Sequence, residues 1–253
     1  SLKAKTVLAL IWFLYRFAFG HKNQKVIFQN LSDEALLSKW IGFSDTKTVL
    51  IRGSGVDLNH YQVVSESEDT PVVTLAARLL VDKGVIEFVE AARILRARNV
   101  SVRMCLVGHL DEGNRTSVTQ MQLDEWVGQE LVELWGYRKD IDQVYSQSNI
   151  ACLPSYREGL PKSLVEAAAC GRAVVTTDVP GCRDAIVPDV TGVLVPVRDA
   201  AALADAIQEL IENPDKRKAM GKAGRVLAEK EFSIEKIVGA HLKIYEDLMA
   251  KVD

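Results

Sequence analysis

From Pro71 onward the chain alternates between two kinds of segment. Apolar runs fall at residues 72–76, 102–107, 131–135, 150–153, 173–176 and 193–195, with helix-like stretches between them. Parallel strands need a long crossover, most often a helix. The alternation therefore predicts an α/β fold built on a doubly wound parallel sheet. Residues 84–98 carry Val85, Phe88, Val89, Ala92 and Leu95 on one helical face, as an amphipathic crossover should. Further helices are expected at residues 200–212, 215–230 and 234–250.

Before Pro71 the pattern is looser. Residues 6–19 are strongly apolar, with Val7, Leu10, Ile11, Leu14 and Ala18 at helical spacing. The run is shorter than the roughly 20 residues that span a bilayer. Lys3 and Lys5 before it and Ala18-Phe19-Gly20 after it imitate an export signal. The first residue is Ser rather than Met, however, and the favoured reading is a core helix of a truncated domain. A membrane-docking helix is the second reading, for which Arg16, Lys22 and Lys25 suit an anionic surface. Strands are expected at residues 26–29 and 48–51, with Ser32 capping a helix that reaches Trp40 and stops at Gly42. The polar stretch 65–71 reads as an interdomain linker.

The window from Pro154 to Pro180 carries the chemistry. Pro161 suits the start of a helix, where its missing N–H costs nothing, and Gly171 stops that helix after Cys170. N–H groups near Lys162 and Ser163 have no intrahelical partner, and with the helix dipole they offer an anion such as a diphosphate a site. Glu158 in the loop and Glu166 on the helix bracket it. Carboxylates repel phosphate, so their fitting partners are neutral donors such as sugar hydroxyls. Hydroxyls on both sides of a diphosphate describe a nucleotide-sugar. A Glu pair at this spacing also arises as a loop charge and a solvated helix face, but the Pro, Gly and helix-start signals in one window favour the site.

Other candidates sit at expected strand ends, where doubly wound proteins bind ligands. Arg78 and Lys83 follow the first strand of the regular region, and suit two phosphates as a fork and a point charge. An isolated basic loop would carry the same residues merely solvated. Gly108 ends the second strand and permits close backbone approach to a ligand, while His109 beside it reads as loop surface. Tyr137 and Arg138 follow the third strand, with Tyr137 either stacking on a ligand or packing. Arg183 and Asp184 are as suited to pairing with each other as to touching substrate.

The segment Glu158-Gly159-Leu160-Pro161-Lys162-Ser163-Leu164-Val165-Glu166, set between Pro154-Ser155 and Ala169-Cys170-Gly171, resembles the signature of the retaining glycosyltransferase family 4. It resembles that family's bacterial capsule and exopolysaccharide branch, of GT-B fold, and the likeness extends over residues 26–251. The resemblance implies a Rossmann-like donor-binding domain at 66–233, a remnant of the N-terminal acceptor domain with linker at 1–65, and a C-terminal helix at 234–253 returning to that remnant. It assigns catalysis to Arg78, Lys83 and Glu158, the two cations on the diphosphate and Glu158 on the sugar hydroxyls. Glu166 would meet the ribose, and the backbone of Lys162, Ser163 and Leu164 the phosphates. Gly108, Tyr137, Arg138, Gly159 and Leu160 would complete the donor site, with Tyr137 near the nucleobase. Residues 52–57 resemble the family's Asn-Gly-Val-Asp turn, with Ser54 replacing the Asn. The family's glycine-rich loop and first-domain catalytic His have no counterpart, so this chain alone is expected to bind donor without transferring sugar.

Composition narrows the partners. A net charge of -3 and a pI near 5.9 argue against nucleic acid as partner. Cys105, Cys152, Cys170 and Cys182 form no C-x-x-C pair and read as buried, reduced thiols in a cytoplasmic protein. Four His with no close Cys or carboxylate cluster speak against a dedicated metal site, and no cofactor is expected. The resemblance implies a UDP-sugar donor, a saccharide or lipid-linked saccharide acceptor, retention at the anomeric carbon, and peripheral membrane contact through the N-terminal domain. A GT-B-fold nucleotide-sugar epimerase and a non-catalytic nucleotide-sugar sensor are the competing readings.

Overall fold

The computed structural model describes residues 2–42 and 45–250. Its first part holds α1 (Leu2–Ala18), β1 (Val26–Phe28), α2 (Leu31–Ile41) and β2 (Thr48–Leu50), with β1 and β2 paired in parallel. The second part is a six-stranded sheet of β3 (Val72–Ala76), β4 (Arg103–Val107), β5 (Glu133–Gly136), β6 (Ile150–Leu153), β7 (Ala173–Thr177) and β8 (Gly192–Val195). Its spatial order is β5-β4-β3-β6-β7-β8, and every pairing is parallel. The helices α3 (Val85–Ala97), α4 (Gln120–Gly128), α5 (Ile141–Ser146), α6 (Lys162–Ala169), α7 (Ala200–Glu212) and α8 (Pro214–Leu227) accompany these strands, and α9 (Ile234–Met249) follows. This is the expected doubly wound sheet. Its order reverses between β3 and β6, where such sheets open a ligand crevice at the carboxyl ends of their strands.

Both faces of the inner strands β3, β4, β6 and β7 are buried, which explains their unbroken apolar runs. Successive strand residues point to opposite faces: Ile150 and Cys152 join the core beneath α3 and α7, whereas Ala151 and Leu153 join the one beneath α6. The predicted face of α3 is buried in full, with Val85, Phe88, Val89, Ala92 and Leu95 inside.

Several local expectations change. Asn30, not Ser32, caps α2, accepting from the Asp33 N–H at 2.8 Å. An extended Asn at that position presents its amide oxygen to the orphan donor, which leaves Ser32 inside the first turn. The third apolar run becomes a strand only at Glu133, because Leu131 and Val132 are spent on the core before pairing begins. Helix α8 ends at Leu227 and widens into a π turn over Ala228–Phe232 that buries Phe232.

The stretch read as a linker is anchored to the second part of the chain. The Glu66 carboxylate accepts from Arg217 Nη2 at 2.8 Å and from Asn149 Nδ2 at 3.1 Å. Helix α9 packs on the first part of the chain, where Ile237 and Ile244 bury against Ile51 and Leu248 packs beside them. Leu242 and Tyr245 of the same helix stay half exposed because they lie on its outer face. Helix α1 touches α2 through Trp12 Nε1, which donates to Trp40 O at 2.9 Å, and through Tyr15 packed edge-on against Trp40. Most of its apolar side chains are exposed, Phe17 at 82%, so the core expected of it is not supplied by the described residues. No helix among them is long and apolar enough to cross a membrane.

Candidate active site

The crevice is made by loops that leave β3, β4, β5 and β6. After β3 the chain turns through Val81–Lys83 to Gly84, whose φ of 75° and contact with the β6 exit demand glycine. A Cβ there would lie 2.1 Å from Pro154 O. The β6 loop is tied to the same turn, since Tyr156 N–H and Ser155 Oγ both donate to Asp82 O, at 2.9 and 3.0 Å. This back-to-back packing brings Lys83 onto Glu158 as a largely buried ion pair. After β4, Gly108 lies so close to Ala77 that a Cβ would meet its carbonyl at 1.9 Å, and the β3 and β4 exits thereby form one continuous wall.

Two adjoining cavities of about 380 and 260 Å³ share Ala76, Ala77, Arg78, Lys162 and Ser163. Glu166, Gly108, His109, Tyr137 and Arg138 line the larger, whereas Lys83, Glu158 and Pro161 line the smaller. The two glutamates thus stand at opposite ends of one crevice, with the α6 N-terminus between them. Pro161 is the N-cap of α6 rather than its first residue, so the helix opens at Lys162. The N–H of Leu164 turns back to Pro161 O at 3.2 Å, which leaves Lys162 and Ser163 to present theirs to the crevice.

The cations and anions of the crevice are held differently. Arg78 is half exposed and pairs with Asp111 at 2.8 Å. Arg138 forks onto Asp140, which holds that carboxyl down at about 2. Tyr137 is 63% exposed and meets the His109 ring edge-on at 5.3 Å. His109 is an exposed loop residue, as read from the sequence, and it also lines the larger cavity. Glu166 is buried, accepting from Tyr61 Oη at 2.6 Å, with Lys162 Nζ 3.4 Å from the same oxygen.

Not every expected residue lines the crevice. Leu164 is buried beneath it. Gly159 and Leu160 face the first part of the chain, where Asn30 Nδ2 donates to Gly159 O at 2.8 Å and Leu160 presses on Gly53. Arg183 and Asp184 do not pair with each other: Arg183 binds Asp178, and Asp184 accepts from the Gly181 N–H at 3.0 Å. Tyr61, Lys139 and Ile141 also line the larger cavity and went unread in the sequence. Tyr61 is 105 positions from the glutamate it bonds, and only folding reveals such a pair. The four cysteines are free and buried, and burial pushes the Cys170 thiol up to about 12 and that of Cys182 to about 11.

Comparison with known proteins gives a consistent result. Residues 59–227, about two thirds of the chain, match the family model "Glycosyl transferases group 1". The chain is 30% identical, over 99% of its length, to N,N'-diacetylbacillosaminyl-diphospho-undecaprenol alpha-1,3-N-acetylgalactosaminyltransferase of Campylobacter jejuni, of which it covers 67%. Sucrose-phosphate synthase from Thermosynechococcus elongatus superposes with a TM-score of 0.79 at 28% identity, over 89% of this chain and 58% of that one. The Anabaena protein HepE, solved in complex with UDP and glucose, superposes with a TM-score of 0.73 at 20% identity, over 88% of this chain and 63% of that one. The chain thus spans about two thirds or less of each of these three proteins.

Proposed function

The chain belongs to the group 1 glycosyltransferases, and from that premise we propose that it is the donor-binding part of a retaining, family 4-type enzyme that moves a sugar from UDP to a lipid-linked saccharide. The observation that carries this reading is the crevice itself, with an anion-receptive helix start and two cations between glutamates at its two ends. The diphosphate sits on the Lys162 and Ser163 N–H groups with Arg78 and Lys83 beside it. Glu166 accepts the ribose hydroxyls in the larger cavity, and Tyr137 lies towards the base. Glu158 accepts the sugar hydroxyls in the smaller one.

In the reaction the bond from the anomeric carbon to the diphosphate oxygen breaks, and its electron pair stays on the diphosphate. Arg78, Lys83 and the helix N–H groups stabilise that growing charge, so no metal ion is required for it. The acceptor hydroxyl bonds to the anomeric carbon on the face the diphosphate leaves, giving up its proton to the departing phosphate. The HepE complex, with UDP and glucose in the same fold, supports a UDP-sugar donor. The Campylobacter relative, by its name, acts on an undecaprenol diphosphate-linked saccharide, which supports an acceptor of that class.

The test is to incubate full-length protein with UDP-sugars, with and without a polyprenyl-diphosphate-linked saccharide, and to follow UDP release and the new linkage by NMR. Acceptor-dependent UDP release with an axial linkage formed from an axial donor is expected. Inversion, or conversion of the UDP-sugar in the absence of acceptor, would overturn the reading.

A further inference from the structure

Tyr61 lies in the segment between the two sheets and reaches into the larger cavity. Its phenol donates to Glu166 Oε1 at 2.6 Å, and Lys162 Nζ stands 3.4 Å from that same oxygen. Both donors fall on Oε1, so Oε2 is the atom offered to a ligand. The tyrosine is itself held at its backbone and at its ring. Arg225 Nη1 donates to Tyr61 O at 2.6 Å and to Ala169 O at 2.8 Å, tying its backbone to the end of α6. The His60 ring meets the phenol ring edge-on at 5.0 Å, and His60 Nε2 lies 3.5 Å from Asp142. Burial and the hydrogen bond to Glu166 push the phenol's pKa well up, so Tyr61 is a hydrogen-bond donor at every physiological pH.

We propose that Tyr61 is a positioning residue for nucleotide recognition, holding the Glu166 carboxylate in one orientation with Oε2 turned to the vicinal ribose hydroxyls. This rests on the reading of Glu166 as the ribose contact. A carboxylate locked on one oxygen discriminates by geometry, because a sugar lacking a hydroxyl leaves the other oxygen desolvated and unpaired. Without the phenol hydroxyl the carboxylate is free to turn towards Lys162, and that discrimination fades.

The experiment is calorimetric titration of the full-length protein with UDP, 2′-deoxy-UDP and 3′-deoxy-UDP, for wild type, Tyr61→Phe and Glu166→Gln. Wild type is expected to prefer UDP over both deoxy forms. Tyr61→Phe should weaken UDP binding about tenfold, the scale of one hydrogen bond to a charged group, and shrink the UDP-to-deoxy ratio towards one. If Glu166→Gln keeps the wild-type ratio, the ribose reading itself falls. If Glu166→Gln collapses the ratio and Tyr61→Phe preserves it, only the role of Tyr61 is overturned. A general loss of structure in Tyr61→Phe lowers affinity for all three nucleotides alike and leaves the ratio intact, so it counts as overturning the role.

Discussion

Lys83 and Glu158 neutralise each other where the β3 and β6 exits meet, and both are largely withdrawn from solvent. A donor that places phosphate at Lys83 and hydroxyls at Glu158 must part this pair and satisfy each member anew. Burial makes such an exchange costly unless both new contacts form, since an unpaired buried charge is penalised heavily. Both carriers were legible in the sequence as polar residues flanking strand ends, but their pairing across 75 positions was not. Lys83→Ala is expected to weaken diphosphate binding by about 1.5–3 kcal/mol and to slow transfer by the full-length protein roughly 100-fold or more. Titration with UDP and a turnover assay measure the two effects. Unchanged values in both would make Lys83 only a structural partner of Glu158.

At the scale of elements, the site depends on the β3 and β6 exits standing in contact, and Gly84 is the hinge pin between them. Its left-handed backbone ends one helical turn and starts α3, with Pro154 O occupying the space a side chain would need. Gly84→Ala should cost at least about 2 kcal/mol, from left-handed strain plus the displaced β6 loop. Urea unfolding would show a lower midpoint at unchanged slope. A midpoint equal to wild type would refute the close approach. The sequence marked Gly84 as the start of a helix, and α3 followed its predicted face residue by residue. It misplaced the α2 cap and the onset of β5, because a cap and an edge strand are chosen by which neighbours compete for one amide or one apolar side chain. That competition is settled by packing rather than by period.

Across the whole molecule, one buried ion pair fastens the segment joining the two sheets. Glu66 accepts two N–H groups from Arg217, and both side chains are 5% exposed. Removing the acid strands a buried guanidinium, so Glu66→Ala is expected to destabilise the protein by about 3–5 kcal/mol. Denaturant titration checks this, and a loss below about 1 kcal/mol would mean the pair is not carrying the junction. The same junction bears Tyr61, which lines the larger cavity, so the anchoring of this segment and the shape of the crevice are one structural matter. The sequence by itself determined the alternation of strand and helix, the doubly wound sheet, and the helix start between Glu158 and Glu166, because these follow from local periodicity, Pro and Gly, and short-range charge placement. Only the tertiary structure decided that Tyr61 serves Glu166, that Lys83 meets Glu158, that Gly159 and Leu160 face the first sheet, and that polar Glu66 is buried. Each of those depends on contacts between residues distant in the chain, whose pairing is selected by the packing of the whole core and leaves no local pattern to read.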